Sequence, residues 1–499
     1  MRARRGFLAA CVLLAGCSLG GASDRTELTV LAGSELADMA PLLEELDRDT
    51  GVKLRMDYRD DTLEPGRYHH DLAWLPSDRY FRLRMKAGAG GEPPLSTRTM
   101  LSPVVIGLKP ETAARLPKDP SWADIADAAG QGRLRFAMAD PRTSGSGLGA
   151  LVGVATAARG GALRPEDVTC DRLRGFFAGH TRAAGSSPKL VEEYVANQDQ
   201  TEGLIAHEST LLSLNATGRL RRPLTVVYPR DGMVMSDYPL LLLDPAKRAA
   251  YDKVVGWLTS RTGQQKIMRR TLRRPLGPDV PRDPRLRATV GNALYFPGQK
   301  QVIDTLLANY DDPAGRKPDR VVFLLDFSRS MAGSRIAAVK SAFAGLGGAD
   351  GSSVGRFVRF HTSEEITVVR FGGRVLGRKT FTVGAPGAMD RLRDFIARDD
   401  FDGSTAIWSA LDGAYALAGD TTRRTSIVLM TDGRNNAGMT LDAFLRHRRP
   451  RAVPTFTVAF GAADRADLRR AATATGGRLV DGDTRPSLLE ALKEIRGCR

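Results

Sequence analysis

At 499 residues the chain is well beyond the length at which a single core stops growing, so two or three domains are expected. Apolar residues make up 42%, charged residues 26% and aromatics 6%, which excludes wholesale disorder, a fibrous repeat and a polytopic membrane protein. The net charge is +16, with Lys supplying only 13 of the 73 basic residues. Such charge favours an anionic membrane or cell-wall surface at long range. No basic stretch is interleaved with aromatics as a strand-binding groove requires, so nucleic acid is not an expected partner.

The N-terminus reads MRARRGFLAACVLLAGC. Arg2, Arg4 and Arg5 precede an apolar stretch, residues 7–14, that is too short to cross a bilayer. Its end, Leu14-Ala15-Gly16-Cys17, resembles the bacterial lipobox. The resemblance implies a lipoprotein signal peptide over 1–16, lipidation of Cys17, a tether over 17–26, and a place on the extracytoplasmic face of the cell membrane. Two or three acyl chains hold a soluble protein there, whereas one does so weakly. Arg4-Arg5-Gly6-Phe7-Leu8 also resembles a twin-arginine export signal, without the Ser before the pair or the Lys after it, so either export route stays open. Cys11 leaves with the signal, and an oxidising compartment permits Cys170 and Cys498 to pair; two buried free thiols is the alternative.

The run LTVL at 28–31, an amphipathic segment at 35–48 and a strand-like run at 52–58 form a strand–helix–strand unit, which predicts a parallel sheet. A strand over 101–108 follows. Ser121 and Asp124 then have the spacing of a capping box, ahead of a strand at 134–138 and a Gly-rich turn into a helix over 148–158. Residues 245–274 read as two helices with Gly263 between them. The runs LTVLAGSELADMAPLLEELDRDTGVKLRMDY, DLAWLPSDRYF, SPVVIGLKP, FAMADPRTSGSGLGAL and VVYPRDGMVMSDYPLLLL resemble extracellular solute-binding proteins of ABC importers over 27–280. What this implies is an α/β, two-lobed periplasmic-binding-protein-like domain, a small solute in the cleft and an ABC permease as partner.

The turn from Asp140 to Gly147 lies between a strand and a helix. Free N–H groups and the positive end of the helix dipole suit an anion, and Thr143, Ser144 and Ser146 add neutral donors. The same composition also makes an ordinary helix cap. Ser34, beside Glu35, stands where the resembled family makes a second ligand contact. Trp74, Ser77 and Asp78 are further cleft candidates, with core packing the alternative for Trp74. The His residues are scattered, no Cys/His metal spacing occurs and no Gly-x-Ser-x-Gly elbow is present, so no catalytic residue and no enzymatic activity is predicted.

Pro275, Pro278, Pro281, Pro284 and Pro297 interrupt any long helix, and residues 281–318 form a linker in which 292–309 carries a helical apolar period and packs back on the first domain. From 319 to 499 the pattern changes. An apolar run at 321–325 ends in Asp326-Phe327-Ser328-Arg329-Ser330, as a buried parallel strand does, and ligand residues belong at its carboxyl end. A helix begins near Ser334, Asp402-Gly403-Ser404-Thr405 opens another, and a strand at 427–430 ends in Thr431-Asp432-Gly433. Oxygen donors without thiolate or imidazole suit Mg²⁺, Mn²⁺ or Ca²⁺.

These segments resemble the metal-ion-dependent adhesion site of von Willebrand factor type A domains. The resemblance implies a Rossmann-like doubly wound sheet, with Asp326, Ser328, Ser330, Thr405 and Asp432 as ligands of a divalent cation, Mg²⁺ first. An acidic group of a protein or polymer partner would complete the shell. Arg329 departs from the pattern, which favours Gly there. Arg434, Asn435 and Asn436 read as partner contacts or a solvated loop, Trp408 as core, and His361, Glu364 and Glu365 as an exposed turn. The expected function is a lipid-anchored extracytoplasmic recognition protein, with an ABC substrate-binding receptor as the alternative.

Overall fold

The computed structural model describes residues 25–59, 69–88, 94–168, 173–311, 319–352, 355, 358–418, 423–447, 453–483 and 487–497. Cys17, Cys170 and Cys498 lie outside them, as does the signal-like segment.

Apolar, β-branched runs make the first lobe. Strands β1 (Thr26–Gly33), β2 (Val52–Arg59) and β3 (Leu72–Trp74) pair in parallel, and β4 (Ser96–Arg98) and β11 (Pro239–Leu242) complete a sheet of order β2-β1-β3-β11-β4. A short 3₁₀ turn, Ser34–Met39, leads into helix Ala40–Thr50, which lays Leu42, Leu43 and Leu46 on the sheet. Trp74 is core: its indole N–H reaches Thr99 Oγ1 at 3.0 Å and the Tyr238 carbonyl at 3.2 Å. Asp78 is taken up by Ser96 at 2.9 Å and by Arg82.

The chain crosses at Thr99 into a second lobe. It is built from β5 (Ser102–Leu108), β6 (Phe136–Met138), β7 (His180–Arg182), β8 (Gly203–His207), β9 (Thr225–Val227) and β10 (Met235–Ser236), in the order β10-β5-β8-β6-β7 with β9 on β5. The parallel pairing expected from the first strand–helix–strand unit is that of β1 with β2; in the second lobe β6 pairs in parallel with β7 and β8, whereas β5 runs antiparallel to β8, β9 and β10. Helix Trp122–Gly130 opens with the reciprocal Ser121–Asp124 capping box. The chain returns through Pro239 and ends this region in helices Arg248–Thr259 and Arg261–Thr271. The break between them is Ser260, not Gly263: the Ser260 hydroxyl accepts the Gly263 N–H at 3.0 Å and so caps the second helix.

Residues 275–299 are irregular, and helix Lys300–Asp311 then buries Val302, Ile303, Leu306 and Tyr310 in the second-lobe core. Its other side meets the first lobe, where Tyr80, itself part of that core cluster, donates to Asp304 at 2.8 Å. The helix therefore straps the lobes together.

The C-terminal domain is a six-stranded sheet: β12 (Asp319–Asp326), β13 (Glu365–Phe371), β14 (Val375–Thr382), β15 (Arg424–Thr431), β16 (Thr455–Ala459) and β17 (Leu479–Asp481), ordered β14-β13-β12-β15-β16-β17. All pairings are parallel except that of the edge strand β14. Alternation along β12 feeds two cores. Val321, Phe323 and Leu325 pack with helices Ser334–Ala344 and Leu488–Gly497 on one face. Val322 and Leu324 pack with helices Ile407–Leu417 and Leu441–His447 on the other.

The base of this domain docks on the second lobe. Arg174 pairs with Asp319, the first residue of β12, at 2.8 Å, and Arg359 pairs with Asp127. Val358 enters the second-lobe core. The His361 ring sits where side chains on Gly130 and Gly175 would go, 2.7 and 2.5 Å from hypothetical Cβ atoms. The expected exposed turn is thus an interface. Glu364 is 2% exposed and takes a two-pronged bond from Arg496 at 2.8 and 2.9 Å. A carboxylate in a polar run looks solvated until a partner from a distant helix neutralises it.

Candidate functional site

Strand β12 lies where the strand order of the sheet reverses, between β13 and β15, the place where connections leave to opposite sides and a crevice forms at the carboxyl ends of the strands. Asp326 closes β12 and is fully buried. Its Oδ1 accepts the Ser328 N–H at 2.8 Å and its Oδ2 accepts the Thr431 hydroxyl at 2.6 Å. Both donors are neutral, and burial pushes the Asp326 carboxyl above the usual carboxylate range. A carboxylate in that position gains by meeting a cation.

The Ser328 and Ser330 hydroxyls stand 3.1 Å apart, and Ser330 donates to Asp432 Oδ1 at 2.8 Å. The second loop is stitched to the first by backbone bonds, Asp402 N–H to the Phe327 carbonyl and Arg329 N–H to the Asp402 carbonyl, both 2.9 Å. Thr405 is 4% exposed; its N–H donates to Asn436 Oδ1 at 2.8 Å, and the Asn436 N–H returns a bond to the Thr405 carbonyl at 3.0 Å. Asn435 accepts the Trp408 N–H and donates to the Met439 carbonyl at 3.0 Å. The two asparagines therefore brace loops rather than face a partner, and Trp408 is buried against Phe444.

Asp326, Ser328, Ser330 and Asp432 are thus linked by hydrogen bonds, and the Thr405 hydroxyl stands 3.7 Å from where a side chain on Gly433, next to Asp432, would begin; two carboxylates and three hydroxyls are a set of oxygen donors that fits Mg²⁺, Mn²⁺ or Ca²⁺. Among the described residues no group of three or more His, Cys, Asp or Glu is placed to hold a metal ion. Sequence reasoning missed the cation beside it. Arg329 is exposed, whereas Arg335, in the first turn of helix Ser334–Ala344, pairs with Asp432 and donates to the Ser330 carbonyl at 3.0 Å. It missed Arg370 too, a fully buried cation 4.4 Å from the Phe327 ring and paired with Asp400, which holds the first loop to the second.

Between the lobes, the turn before helix Gly145–Arg159 gathers a chain of hydroxyls: Ser144 to Ser146 at 3.0 Å and Ser146 to Ser187 at 2.8 Å, all buried. Thr143 is spent on the Gly185 carbonyl at 2.7 Å. Pro76 of the first lobe covers this turn, 2.9 Å from where a Gly145 side chain would begin, and helix Ser187–Ala196 packs against the turn Ser34–Met39. Ser34 and the serine chain consequently belong to facing walls of a closed cleft. Its hinge holds two ion pairs, the buried Arg273 on the exposed Asp38 at 2.8 Å and the buried pair of Arg274 on Glu208 at 2.6 Å, the latter joining the lobes. His207 lies there as well, 2.8 Å from Ser236, and burial holds its imidazole down at about 3. Ser187 and Glu208 carried no local sequence signal.

Residues 28–270 match the family model described as bacterial extracellular solute-binding protein, and residues 321–494 match that of the von Willebrand factor type A domain. Among solved structures, the periplasmic binding protein AfuA from Actinobacillus pleuropneumoniae, with fructose-6-phosphate bound, is 13% identical over 57% of this chain and 98% of its own, with a TM-score of 0.45. Iron-bound HitA from Pseudomonas aeruginosa is 17% identical over 57% of this chain and all 100% of its own, with a TM-score of 0.45. A periplasmic thiamin binding protein is 12% identical over 58% and 97%, with a TM-score of 0.46. No curated protein matches the chain.

Proposed function

We propose that the chain, which joins an extracellular solute-binding protein domain to a von Willebrand factor type A domain, is a lipid-anchored extracytoplasmic recognition protein whose type A domain grips an acidic partner through a divalent cation. The observation that carries this reading is the convergence of Asp326, Ser328, Ser330, Thr405 and Asp432 at the carboxyl end of the sheet, while the opposite end docks on the second lobe. The five residues lie at the end of the sheet opposite the one that docks on the second lobe.

Bound there, a divalent cation would act as a Lewis acid toward a carboxylate of the partner. The chain's own residues do the rest. Asp326 and Asp432 bring negative charge, Ser328, Ser330 and Thr405 bring neutral oxygens, and the asparagine braces hold the loops in register. The anchor is Cys17, supported by the lipobox-like run before it. No helix of the described residues is long and apolar enough to cross a membrane.

A receptor for an ABC importer is the second reading, favoured by the match over 28–270. The strap helix weighs against it, since opening the lobes must pull Tyr80 out of the core it shares with Val302 and Ile303. A thermal-shift titration with Mg²⁺, Mn²⁺ and Ca²⁺ tests the metal site: a cation that binds only the folded state adds about 2.7 kcal/mol at 100 times its Kd. The rise is expected in the parent and not in Asp326→Ala. A rise of equal size in both would place the cation elsewhere and defeat the reading.

A further inference from the structure

Asp432 is 1% exposed, and a carboxylate so far from water needs a counter-charge. Arg335 supplies it, nine positions beyond Asp326, and the same guanidinium binds the Ser330 carbonyl at 3.0 Å, so one side chain ties the first motif to the third. Asp326, by contrast, is met by neutral donors. A divalent cation and a guanidinium on one buried carboxylate repel each other. We propose that Arg335 is a displaceable counter-ion that holds Asp432 until a divalent cation takes over the carboxylate, and so sets the affinity of the site. The proposal rests on the reading of this crevice as a metal site.

The surroundings give the guanidinium somewhere to go. Its side chain is 39% exposed and lines a cavity of about 240 Å³ with Phe460, Gly461, Gly482 and Asp483. Gly461 adopts φ +61°, and a Cβ there would stand 2.7 Å from Arg335 Nη2, so a residue with a side chain would fill the space the arginine lies in. Across the cavity Asp483 presents a second carboxylate, half exposed and already accepting the Gly461 N–H at 2.9 Å and Arg465 at 2.6 Å. Displaced from Asp432, Arg335 moves toward Asp483, trading a buried anion for one at the surface.

The test is calorimetric titration of the full chain with Mn²⁺ alone, comparing the parent with Arg335→Gln, Asp483→Asn and Asp326→Asn. Arg335→Gln is expected to bind Mn²⁺ at least about tenfold more tightly, about 1.4 kcal/mol. Folded Arg335→Gln with equal or weaker affinity overturns the proposal, because a brace that merely orders the ligands would lose affinity when removed. Should that variant not fold, Asp483→Asn carries the test: it leaves Arg335 and all five ligand residues in place and is expected to weaken Mn²⁺ several-fold, and unchanged affinity overturns the proposal. Binding that vanishes in Asp326→Asn yet ignores Arg335 and Asp483 defeats the counter-ion alone. If neither the parent nor Arg335→Gln binds Mn²⁺ above Asp326→Asn, the metal-site reading fails, and the counter-ion with it.

Discussion

Replacing Glu364 by Gln removes one charge from an ion pair in which both side chains are at most 2% exposed. Arg496 cannot follow its charge into water. It lies against the Phe360 ring at 4.6 Å and is bonded to the Val358 and Arg359 carbonyls, so it stays where it is, a buried cation facing a neutral amide. Breaking a buried pair by removing one partner costs about 3–5 kcal/mol. The two retained carbonyl acceptors place Glu364→Gln toward the lower end, about 3 kcal/mol. The loss falls on the segment that docks the C-terminal domain, since Val358, Arg359 and His361 face the second lobe. The assay is urea denaturation followed by circular dichroism, with the double variant Glu364→Leu/Arg496→Met alongside. Removing both charges leaves none unpaired, so the double variant should lose less than Glu364→Gln despite the larger change in sequence. A loss under about 1 kcal/mol for Glu364→Gln, in the range of exposed pairs, would refute the claim that this pair is sealed from water.

His207 gives a pH test. Folded, it stays neutral down to about 3, while the unfolded chain takes a proton near 6.5, so its share of stability is complete above 6.5 and falls as pH drops below it. Between pH 7 and 5 the parent should lose about 2 kcal/mol more than His207→Gln in paired denaturation curves, and equal losses would contradict the burial argument. Gly175→Ala places a methyl group about where the His361 ring lies, 2.5 Å away, and should loosen the docked C-terminal domain. Small-angle scattering would register this as a larger radius of gyration, and an unchanged profile would mean that the ring moves aside at little cost. Tyr80→Phe deletes the 2.8 Å bond to Asp304 without changing core volume and is expected to cost about 1 kcal/mol. Faster hydrogen exchange in helix Lys300–Asp311 would report it, and unaltered exchange would deny that the strap depends on this bond.

The parts of the fold legible in the sequence were those decided locally. The runs VVFLL and SIVLM are apolar on both faces, as a central parallel strand must be, and their ends place Asp326 and Asp432 on one edge of the sheet. The capping box at Ser121 and Asp124 needs only its own three-residue spacing. What remained hidden depends on contacts between distant positions. Arg335 reads as one more solvated cation on a helix until the loops of Asp432 and Gly461 are brought to it. Glu364 reads as exposed because Arg496 arrives from a helix 132 residues away. Ser187 joins the serine chain across 41 residues. The antiparallel pairings of β5 are with β8 and β9, strands far along the chain, and no local pattern marks them.

The proposed site at the end of β12 would hold one divalent cation. Electron paramagnetic resonance of Mn²⁺ titrated into the full chain tests it most directly, read as the number of ions bound per chain in the parent, Asp326→Asn and Thr405→Ala. One ion is expected in the parent, lost in Asp326→Asn and weakened by about tenfold or more in Thr405→Ala, where one neutral oxygen ligand is gone. A parent that binds no Mn²⁺, or an Asp326→Asn chain that binds it as well as the parent, would contradict the account.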